Sequence, residues 1–280
     1  MRLVTYAAGD TARVGVLDGE EVIDAGFDGD MVAYIEAGAP PGAGARVEPR
    51  PRLLAPLRPR SLRDFLGFEG HLKGAYAGLG RDIPQEWYEV PAYYKGMPDT
   101  VIGPDTEIPW PRYVAELDHE LELAVVIGRR VCDIAPADAE DAIFGYTIWN
   151  DLSARDIQRR EVPVGLGPGK AKDWDGANVL GPCLVTADEF DAGDAQMSVR
   201  VNGETWGECS TAEMHHSFAE MIAYASQAQT LYAGEVIGSG TATGGSGLEL
   251  GRRLHAGDVV ELEITGIGIL RNTIGQRKER

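Results

Sequence analysis

The chain has 280 residues, of which 44% are hydrophobic and 25% charged, and this composition excludes wholesale disorder, coiled coil and collagen-like repeats. Lys and Arg number 26 against 44 Asp and Glu, a formal charge of -18 that repels nucleic-acid phosphates and anionic lipid. Nucleic acid and membrane are therefore not expected partners, and a small anion would bind only where local cations reverse the field.

The cysteines Cys132, Cys183 and Cys209 lie far apart and form no C-x-x-C pair, which favours a reducing compartment. No apolar run approaches the ~18 residues that a membrane span needs. The sequence therefore predicts a soluble cytoplasmic protein.

Short apolar runs at residues 3–6, 14–17 and 22–23 alternate with Gly-Asp and Asp-Gly turn signals and predict a small β-rich N-terminal domain. Six prolines between residues 38 and 60 have the composition of a linker. The predicted organisation is residues 1–60 for the N-terminal domain and linker, and residues 61–280 for a larger domain.

In the larger domain, residues 61–79 predict a helix or a helix followed by a loop. Strands are predicted at residues 121–127, 146–149, 179–185 and 259–264, and a hairpin at 197–206 around Asn202-Gly203. Helices are predicted at residues 137–144, and at 217–229 with Ser217 as N-cap and Glu220 at capping-box spacing. The fold class is thus α+β and mostly β.

The stretch LDHELELAVVIG, residues 117–128, carries two carboxylates on one strand. The period of two puts Glu120 and Glu122 on one face with Ala124 and Val126, so this face is expected to be at least partly buried. Close like charges in a low dielectric call for a compensating cation, and a hard divalent ion with oxygen ligands is the usual one. A solvated edge strand is the alternative interpretation.

The stretch GYTIWNDLSARDIQ, residues 145–158, is an apolar strand that ends in polar residues. Asp151 stands at the strand end, and a following turn of helix projects Arg155 and Gln158 to one side because they are three residues apart. The alternative is a helix cap, in which Asp151 or Ser153 accepts backbone N–H groups and Arg155 pairs with Asp156 at the surface.

Together these two stretches resemble the paired signature of the fumarylacetoacetate hydrolase family. The resemblance continues through GKAKDW (169–174), LGP (180–182), VNGE (201–204), LYAGEVIGSGT (231–241) and GDVVELEITGIG (257–268), and it spans about residues 61–273. It implies a mixed β-roll domain that holds Mg²⁺, replaceable by Mn²⁺ or Ca²⁺, on Glu120, Glu122 and Asp151. Members of the eukaryotic fumarylacetoacetase type have a fourth ligand, an Asp seven residues before the active-site His, and Asp64 stands seven residues before His71. Members with a shorter lid lack this Asp.

The resemblance also makes His71 the general base, or the group that positions the attacking water. Many bacterial relatives have a Glu three residues after this His, where this chain has Gly74. Glu69, Glu86 and Glu89 remain open as replacements, and so does chemistry that needs no activated water.

Further site residues follow from the same resemblance. Lys172 matches the active-site Lys of the family, and Lys170 is the rival candidate. Together with Arg155 and Gln158, Lys172 would form a cationic wall that stabilises an enolate or oxyanion. Tyr94, Lys95, Thr241 and Thr243 match substrate-facing segments, with loop packing and turn capping as the alternative role.

The implied activity is Mg²⁺-dependent hydrolysis of the C–C bond of an acylpyruvate or other 1,3-diketo acid, such as fumarylacetoacetate or fumarylpyruvate, through an enolate leaving group. Decarboxylation, isomerisation (including tautomerisation) or dehydration of a small 2-oxo acid is the alternative, because these reactions use the same site without a lid base. A non-catalytic descendant that binds small molecules is the third interpretation. A homodimer is implied by the resemblance.

Overall fold

The structure is a computed structural model that describes residues 1–40, 44–77, 80 and 82–277. The strands are β1 (Arg2–Ala8), β2 (Thr11–Asp18), β3 (Glu21–Asp24), β4 (Leu62–Phe65), β5 (Tyr93–Gly96), β6 (Val101–Ile102), β7 (Ile108–Trp110), β8 (Leu117–Asp118), β9 (Leu121–Ile127), β10 (Ile143–Asp151), β11 (Ser153–Ala154), β12 (Asn178–Thr186), β13 (Gln196–Val201), β14 (Glu204–Ser210), β15 (Val236–Gly238), β16 (Val259–Ile264) and β17 (Gly268–Arg277). The α-helices are α1 (Met31–Glu36), α2 (Glu69–Ala77), α3 (Gln85–Glu89), α4 (Pro136–Ala139), α5 (Arg155–Glu161), α6 (Phe218–Ala225) and α7 (Gly247–Leu250).

The larger sheet is mixed and has the strand order β3-β2-β1-β12-β10-β9-β15-β4-β5, with β6 also paired to β12. The pairs β15–β4 and β12–β6 are parallel, and the others are antiparallel. The N-terminal strands extend this sheet, because Arg2 and Leu3 of β1 pair with Val185 and Leu184 of β12. The domain boundary at residue 60 stays a prediction.

A second sheet, in the order β14-β13-β16-β17-β7, packs against the first. Their shared core contains Val125 and Ile127 of β9 together with Val199 and Leu262 of the second sheet. The opposite face of β9 contributes Ala124 and Val126 to a second cluster that includes residues of α1. Because both faces are covered, every residue of β9 is buried, and the interpretation of this segment as a solvated edge strand is wrong.

The strand predictions are confirmed, since β9 and β16 have the predicted bounds and β10 and β12 extend the predicted segments by a few residues. The mixed, mostly β fold class is confirmed too. In the 197–206 hairpin, Asn202 and Gly203 have φ of 53° and 79°, as a two-residue turn with left-handed residues requires. The capping box on α6 is also present, because Ser217 Oγ accepts from the N–H of Glu220, and Ser217 N–H donates to its carboxylate.

Three helix predictions need correction. Residues 61–79 contain the strand β4 before helix α2, because residues 62–65 pair with β15 and β5; residues 78 and 79 lie outside the described residues. Only residues 137–139 of the predicted 137–144 helix lie in an α-helix, α4, and residues 143 and 144 already belong to β10. Helix α6 ends at Ala225 rather than at residue 229.

Within the described residues, we find no helix that combines the length and the apolar character needed to cross a membrane.

Candidate active site

Three carboxylates from three different strands converge in the larger sheet. Asp64 lies on β4, Glu122 on β9, and Asp151 ends β10. One oxygen of each lies within 4.8 Å of the others, and all three side chains are buried. Sheet order explains the convergence, because β9 lies between β10 and β15, and β15 joins β9 to β4.

Gly238 of β15 provides the space for this approach. Its backbone pairs with Ala124 on one side and Asp64 on the other, so the three residues share a face. A Cβ atom on Gly238 would lie 2.6 Å from Glu122 Oε2 and 2.8 Å from Asp64 Oδ1. The missing side chain therefore lets two carboxylates meet across an intervening strand.

The three carboxylates are incompletely compensated by the protein. Both oxygens of Glu122 and Oδ1 of Asp151 are buried without a hydrogen-bond partner among the described residues. Burial and the neighbouring carboxylates raise the pKa of Asp64 and of Glu122 well above the usual range. Burial also raises the pKa of Asp151, although Lys172 partly offsets the effect.

This donor set fits a hard divalent cation such as Mg²⁺, which prefers carboxylate oxygens. Among the described residues, Lys172 contacts one of the three carboxylates, Asp151, and it also contacts Glu120. If all three are ionised, most of their negative charge is therefore left for a divalent ion to neutralise.

Glu120 lies beside the three carboxylates, but both of its oxygens contact cations. Glu120 Oε1 is 2.7 Å from Arg155 Nη2, and Oε2 is 2.5 Å from Lys172 Nζ. Burial alone would raise the pKa of Glu120, but Arg155, Lys172 and His71 together lower it. Its predicted role as a metal ligand stays a prediction.

Arg155 and Lys172 form the predicted cationic wall. Both are buried, and carboxylates more than offset the effect of burial, so the pKa of each is raised and both stay charged. Arg155 Nε also donates to Asp118 Oδ2 at 2.8 Å, and Arg155 Nη1 donates to Gln158 at 3.0 Å. The surface-pair and helix-cap interpretations are therefore wrong, since Arg155 faces inward and no side chain caps α5.

Asp118 links this wall to helix α7. Its carboxylate accepts from the backbone N–H groups of Gly247 and Leu248 at 2.9 and 3.0 Å while it pairs with Arg155. The first turn of α7 is thereby held against the site, and this turn carries Glu249.

Glu249 pairs with His71 and is a site residue that the sequence analysis missed. His71 Nδ1 lies 2.9 Å from Glu249 Oε2, which is an ion-pair distance without the geometry of a hydrogen bond, and both side chains are largely buried. Gly244 N–H and Ser246 Oγ donate to the same carboxylate at 2.9 and 2.8 Å. Burial alone would raise the pKa of Glu249, but His71 and these donors lower it. No local pattern signals Glu249, because it contacts His71 only through the folding of distant segments.

Gly74 lies directly beside this pair. A Cβ atom on Gly74 would be 3.0 Å from Glu249 Cγ, so the side chain of Glu249 fills the space next to α2. The position where a lid Glu was expected is therefore occupied by the carboxylate of another helix.

A sequence model described as the C-terminal domain of fumarylacetoacetate (FAA) hydrolase matches residues 61–275, which is most of the chain. The chain belongs to the fumarylacetoacetate hydrolase family.

Solved and curated proteins agree with this family assignment. A fumarylacetoacetate hydrolase from Exiguobacterium antarcticum superposes with a TM-score of 0.83 at 30% identity, covering 99% of this chain and 100% of that one. A 5-carboxymethyl-2-hydroxymuconate delta-isomerase from Mycobacterium smegmatis superposes with a TM-score of 0.80 at 29% identity, covering 98% and 99%. Oxaloacetate tautomerase YisK of Bacillus subtilis is 37% identical over 201 residues, covering 71% of this chain and 64% of that protein.

In this family member, the structure brings some further predicted residues to the site. Tyr94 OH donates to Asp151 Oδ2 at 2.7 Å, and Lys172 Nζ lies 5.5 Å from the Tyr94 ring centroid. Thr241 is buried in the loop after β15, and Thr243 Oγ1 is buried without a partner among the described residues. Thr243 also packs beside Gly70, one residue before His71.

Other candidates lie away from the three carboxylates. Lys95 points to the opposite face of β5 from Tyr94. Glu69 contacts Tyr88 OH and Lys73 Nζ rather than His71. The remaining candidates lie at the surface: Glu86 and Glu89 are on α3, and Lys170 is next to Asp173.

Proposed function

We propose that this enzyme hydrolyses the C–C bond of an acylpyruvate or a related 1,3-diketo acid. The single observation that carries the proposal is the pairing of His71 with Glu249 next to a buried acidic cluster and two buried cations. A carboxylate that orients an imidazole is the arrangement by which enzymes activate water or a hydroxyl at neutral pH. The products would be a carboxylate and a 2-oxo acid.

Asp64, Glu122 and Asp151 would hold Mg²⁺, with Glu120 beside them. The ion, when bound, supplies Lewis acidity toward the two oxygens of the substrate's dicarbonyl unit.

Arg155 and Lys172 would stabilise the negative charge that develops on the leaving enolate, because both remain cationic although they are buried. His71 would take the proton from the attacking water, and Glu249 would hold the imidazole ring in place through Nδ1. The hydroxyl of Thr243, which has no partner among the described residues, would be available to a substrate oxygen.

A second candidate is tautomerisation or isomerisation of a small 2-oxo acid. Two of the relatives reported above are named as an oxaloacetate tautomerase and a hydroxymuconate isomerase. Both reactions pass through an enol or enolate, which the wall of Arg155 and Lys172 would stabilise equally well. His71 would then move a proton between carbon and oxygen rather than activate water.

The test follows the enol absorbance of an acylpyruvate and of oxaloacetate, before chelation, after chelation, and after Mg²⁺ is restored. Hydrolysis predicts acylpyruvate loss that stops with the chelator and returns with Mg²⁺. Faster enol–keto conversion of oxaloacetate, with no acylpyruvate loss, would transfer the assignment to a tautomerase. A coupled pyruvate assay detects decarboxylation in the same samples.

A double variant, Glu120→Ala with Glu122→Ala, links either activity to the site. Its control is Glu204→Ala with Glu208→Ala, two exposed residues of β14. Unchanged turnover in the first variant would contradict the proposal. A cytoplasmic location, which rests on the scattered cysteines, and a homodimer, which rests on the family, are further proposals. Light scattering behind size exclusion measures the dimer.

A further inference from the structure

The ribbon formed by β4 and β5 presents different residues on its two faces. Asp64 and Tyr94 are directly paired and face the acidic cluster. Arg63 and Lys95 are the next pair along the ribbon, and strand alternation directs them to the opposite face. The ribbon therefore has a metal-side face and a reverse face that carries two cations.

A cavity of about 640 Å³ lies on this reverse face. Its polar and aromatic lining consists of Arg63, Lys95, Tyr93, Tyr224, Gln227 and Gln229. Among the described residues, no carboxylate lines the cavity, although acidic residues outnumber basic ones by 44 to 26 in the chain. The cavity is thus locally cationic in a protein with a strongly acidic overall charge.

Arg63 is 93% buried at this cavity and incompletely paired. Its Nη1 donates to Glu235 and to Ser61 Oγ, but its Nε has no acceptor within the described part of the chain. Glu235 also accepts from Ser61 Oγ at 2.6 Å and from Tyr232 N–H at 2.9 Å, so one carboxylate serves several donors. A buried guanidinium N–H without an acceptor is costly unless a ligand accepts a hydrogen bond from it.

Lys95 adds an exposed ammonium to the same cavity. No carboxylate of the described residues lies within the 4.0 Å that defines an ion pair with it. Tyr93 and Tyr224 stand nearby with ring centroids 6.3 Å apart, in an edge arrangement. Two cations, two aromatic rings and two amide side chains are the groups that recognise an anion attached to an apolar group.

We propose that this cavity is a second binding site, for a small organic oxyanion whose carboxylate or phosphate lies between Arg63 and Lys95. The apolar part of the ligand packs on Tyr93 and Tyr224, and the amides of Gln227 and Gln229 supply further donors. The site lies across the ribbon from the acidic cluster and requires no metal.

Calorimetric titration of the Mg²⁺-loaded protein with benzoate and with phenyl phosphate tests the proposal and distinguishes the two head groups. We expect saturable binding of at least one probe at one site per chain. Lys95→Gln should weaken it by about tenfold or more, because a charge-assisted hydrogen bond is lost. Lys170→Gln, which removes another exposed ammonium outside the cavity, should leave it unchanged.

Lys95→Gln is the decisive variant because Lys95 is exposed and has no ion-pair partner in the described part of the chain, whereas a change at Arg63 would leave Glu235 buried without its cation. Circular dichroism melts of each variant confirm that it is folded. Absence of saturable binding for both probes, or equal affinity in Lys95→Gln and wild type, would overturn the proposal.

Discussion

At the scale of single residues, the site depends on contacts that hold a few side chains in position. His71 contacts Glu249, and Glu249 is itself held by Gly244 N–H and Ser246 Oγ. In the proposed mechanism, the other ring nitrogen of His71 acts on the attacking water. Residues that orient a catalytic group in this way typically contribute through geometry and through the charge of the oriented ring.

Glu249→Gln should lower kcat for acylpyruvate hydrolysis by about 100-fold or more, because the neutral amide of Gln does not stabilise a protonated His71 ring as the carboxylate of Glu249 does. KM and the melting temperature should change little, since Gln can keep the contacts with Gly244 and Ser246. Steady-state kinetics measure the effect, with Glu208→Gln on the surface as control. A kcat within threefold of wild type would remove Glu249 from the proposed mechanism.

At the scale of elements, the site exists because one strand of the sheet lacks a side chain at one position. Strand β15 separates β9 from β4, and Glu122 and Asp64 reach each other over Gly238. Both faces of β9 are buried, so these carboxylates sit in a packed interior rather than in solvent. Such packing tolerates little added volume.

Gly238→Ala should weaken Mg²⁺ binding by about tenfold or more and destabilise the fold by about 1–3 kcal/mol. The reason is that the new methyl group would lie 2.6 Å from Glu122 Oε2 and 2.7 Å from Trp149 Cε3. Calorimetric Mg²⁺ titration and urea melts measure the two effects. Gly193→Ala, in an exposed loop, is the matched control. Wild-type Mg²⁺ affinity in Gly238→Ala would show that the strand accommodates the methyl group without disturbing the carboxylates.

The N-terminal strands contain a separate ion pair with a defined pH dependence. Asp24 accepts from Arg13 Nε at 2.6 Å and from Arg13 Nη2 at 3.0 Å, and also from Tyr6 OH. The hydrogen bonds from Arg13 lower the pKa of Asp24 below its usual value of 3.8, although burial opposes them. The stabilisation is therefore present above pH 3.8 and is lost as the pH falls toward the depressed pKa.

Asp24→Asn should accordingly lower the melting temperature at neutral pH, and its difference from wild type should shrink once the pH falls below about 4. Thermal melts across the acid range measure this difference. Asp18→Asn, an exposed residue of β2, should show a small difference that does not depend on pH. A constant gap between Asp24→Asn and wild type across the range would contradict the assigned pKa shift.

At the scale of the whole molecule, the overall charge of -18 opposes the binding of an anionic substrate, and two buried cations, Arg155 and Lys172, offset it only partly at the site. The site also contains several buried carboxylates, whose mutual repulsion destabilises the folded protein when no metal cation is bound. A divalent ion would relieve this repulsion in the folded state and find no equivalent cluster in the unfolded chain.

Mg²⁺ should therefore raise the melting temperature. At 100 times its Kd, stabilisation by mass action is about 2.7 kcal/mol, which corresponds to about 5 °C or more for a protein of this size. Scanning calorimetry of the chelated and the Mg²⁺-loaded protein measures the shift. Asp64→Asn should reduce the shift and Asp10→Asn, an exposed turn residue, should not. An identical melting temperature with and without Mg²⁺ would contradict a divalent site in the cluster.

Local pattern was enough to predict much of the sheet. Alternation placed Glu122 on the face of Ala124 and Val126, the Asn202-Gly203 pair located the hairpin turn, and the strand before Asp151 was evident from its apolar run. These features depend on residues two to ten positions apart, which is the range over which strand period and turn conformation act. The family resemblance added Asp64, His71 and Lys172 as candidates, because no local pattern distinguishes them.

Only the tertiary structure decided which distant groups meet. Strand β4 was mistaken for part of a helix because three of its residues pair in parallel with β15, a partner about 170 positions away. The same pairing brings Asp64 to Glu122. The pairing of β4 with β5 turns Lys95 to the reverse face, and the contact of α2 with α7 puts Gly74 beside Glu249. Sequence periodicity determines the face on which a side chain lies, whereas the order of strands in the sheet determines what that face meets.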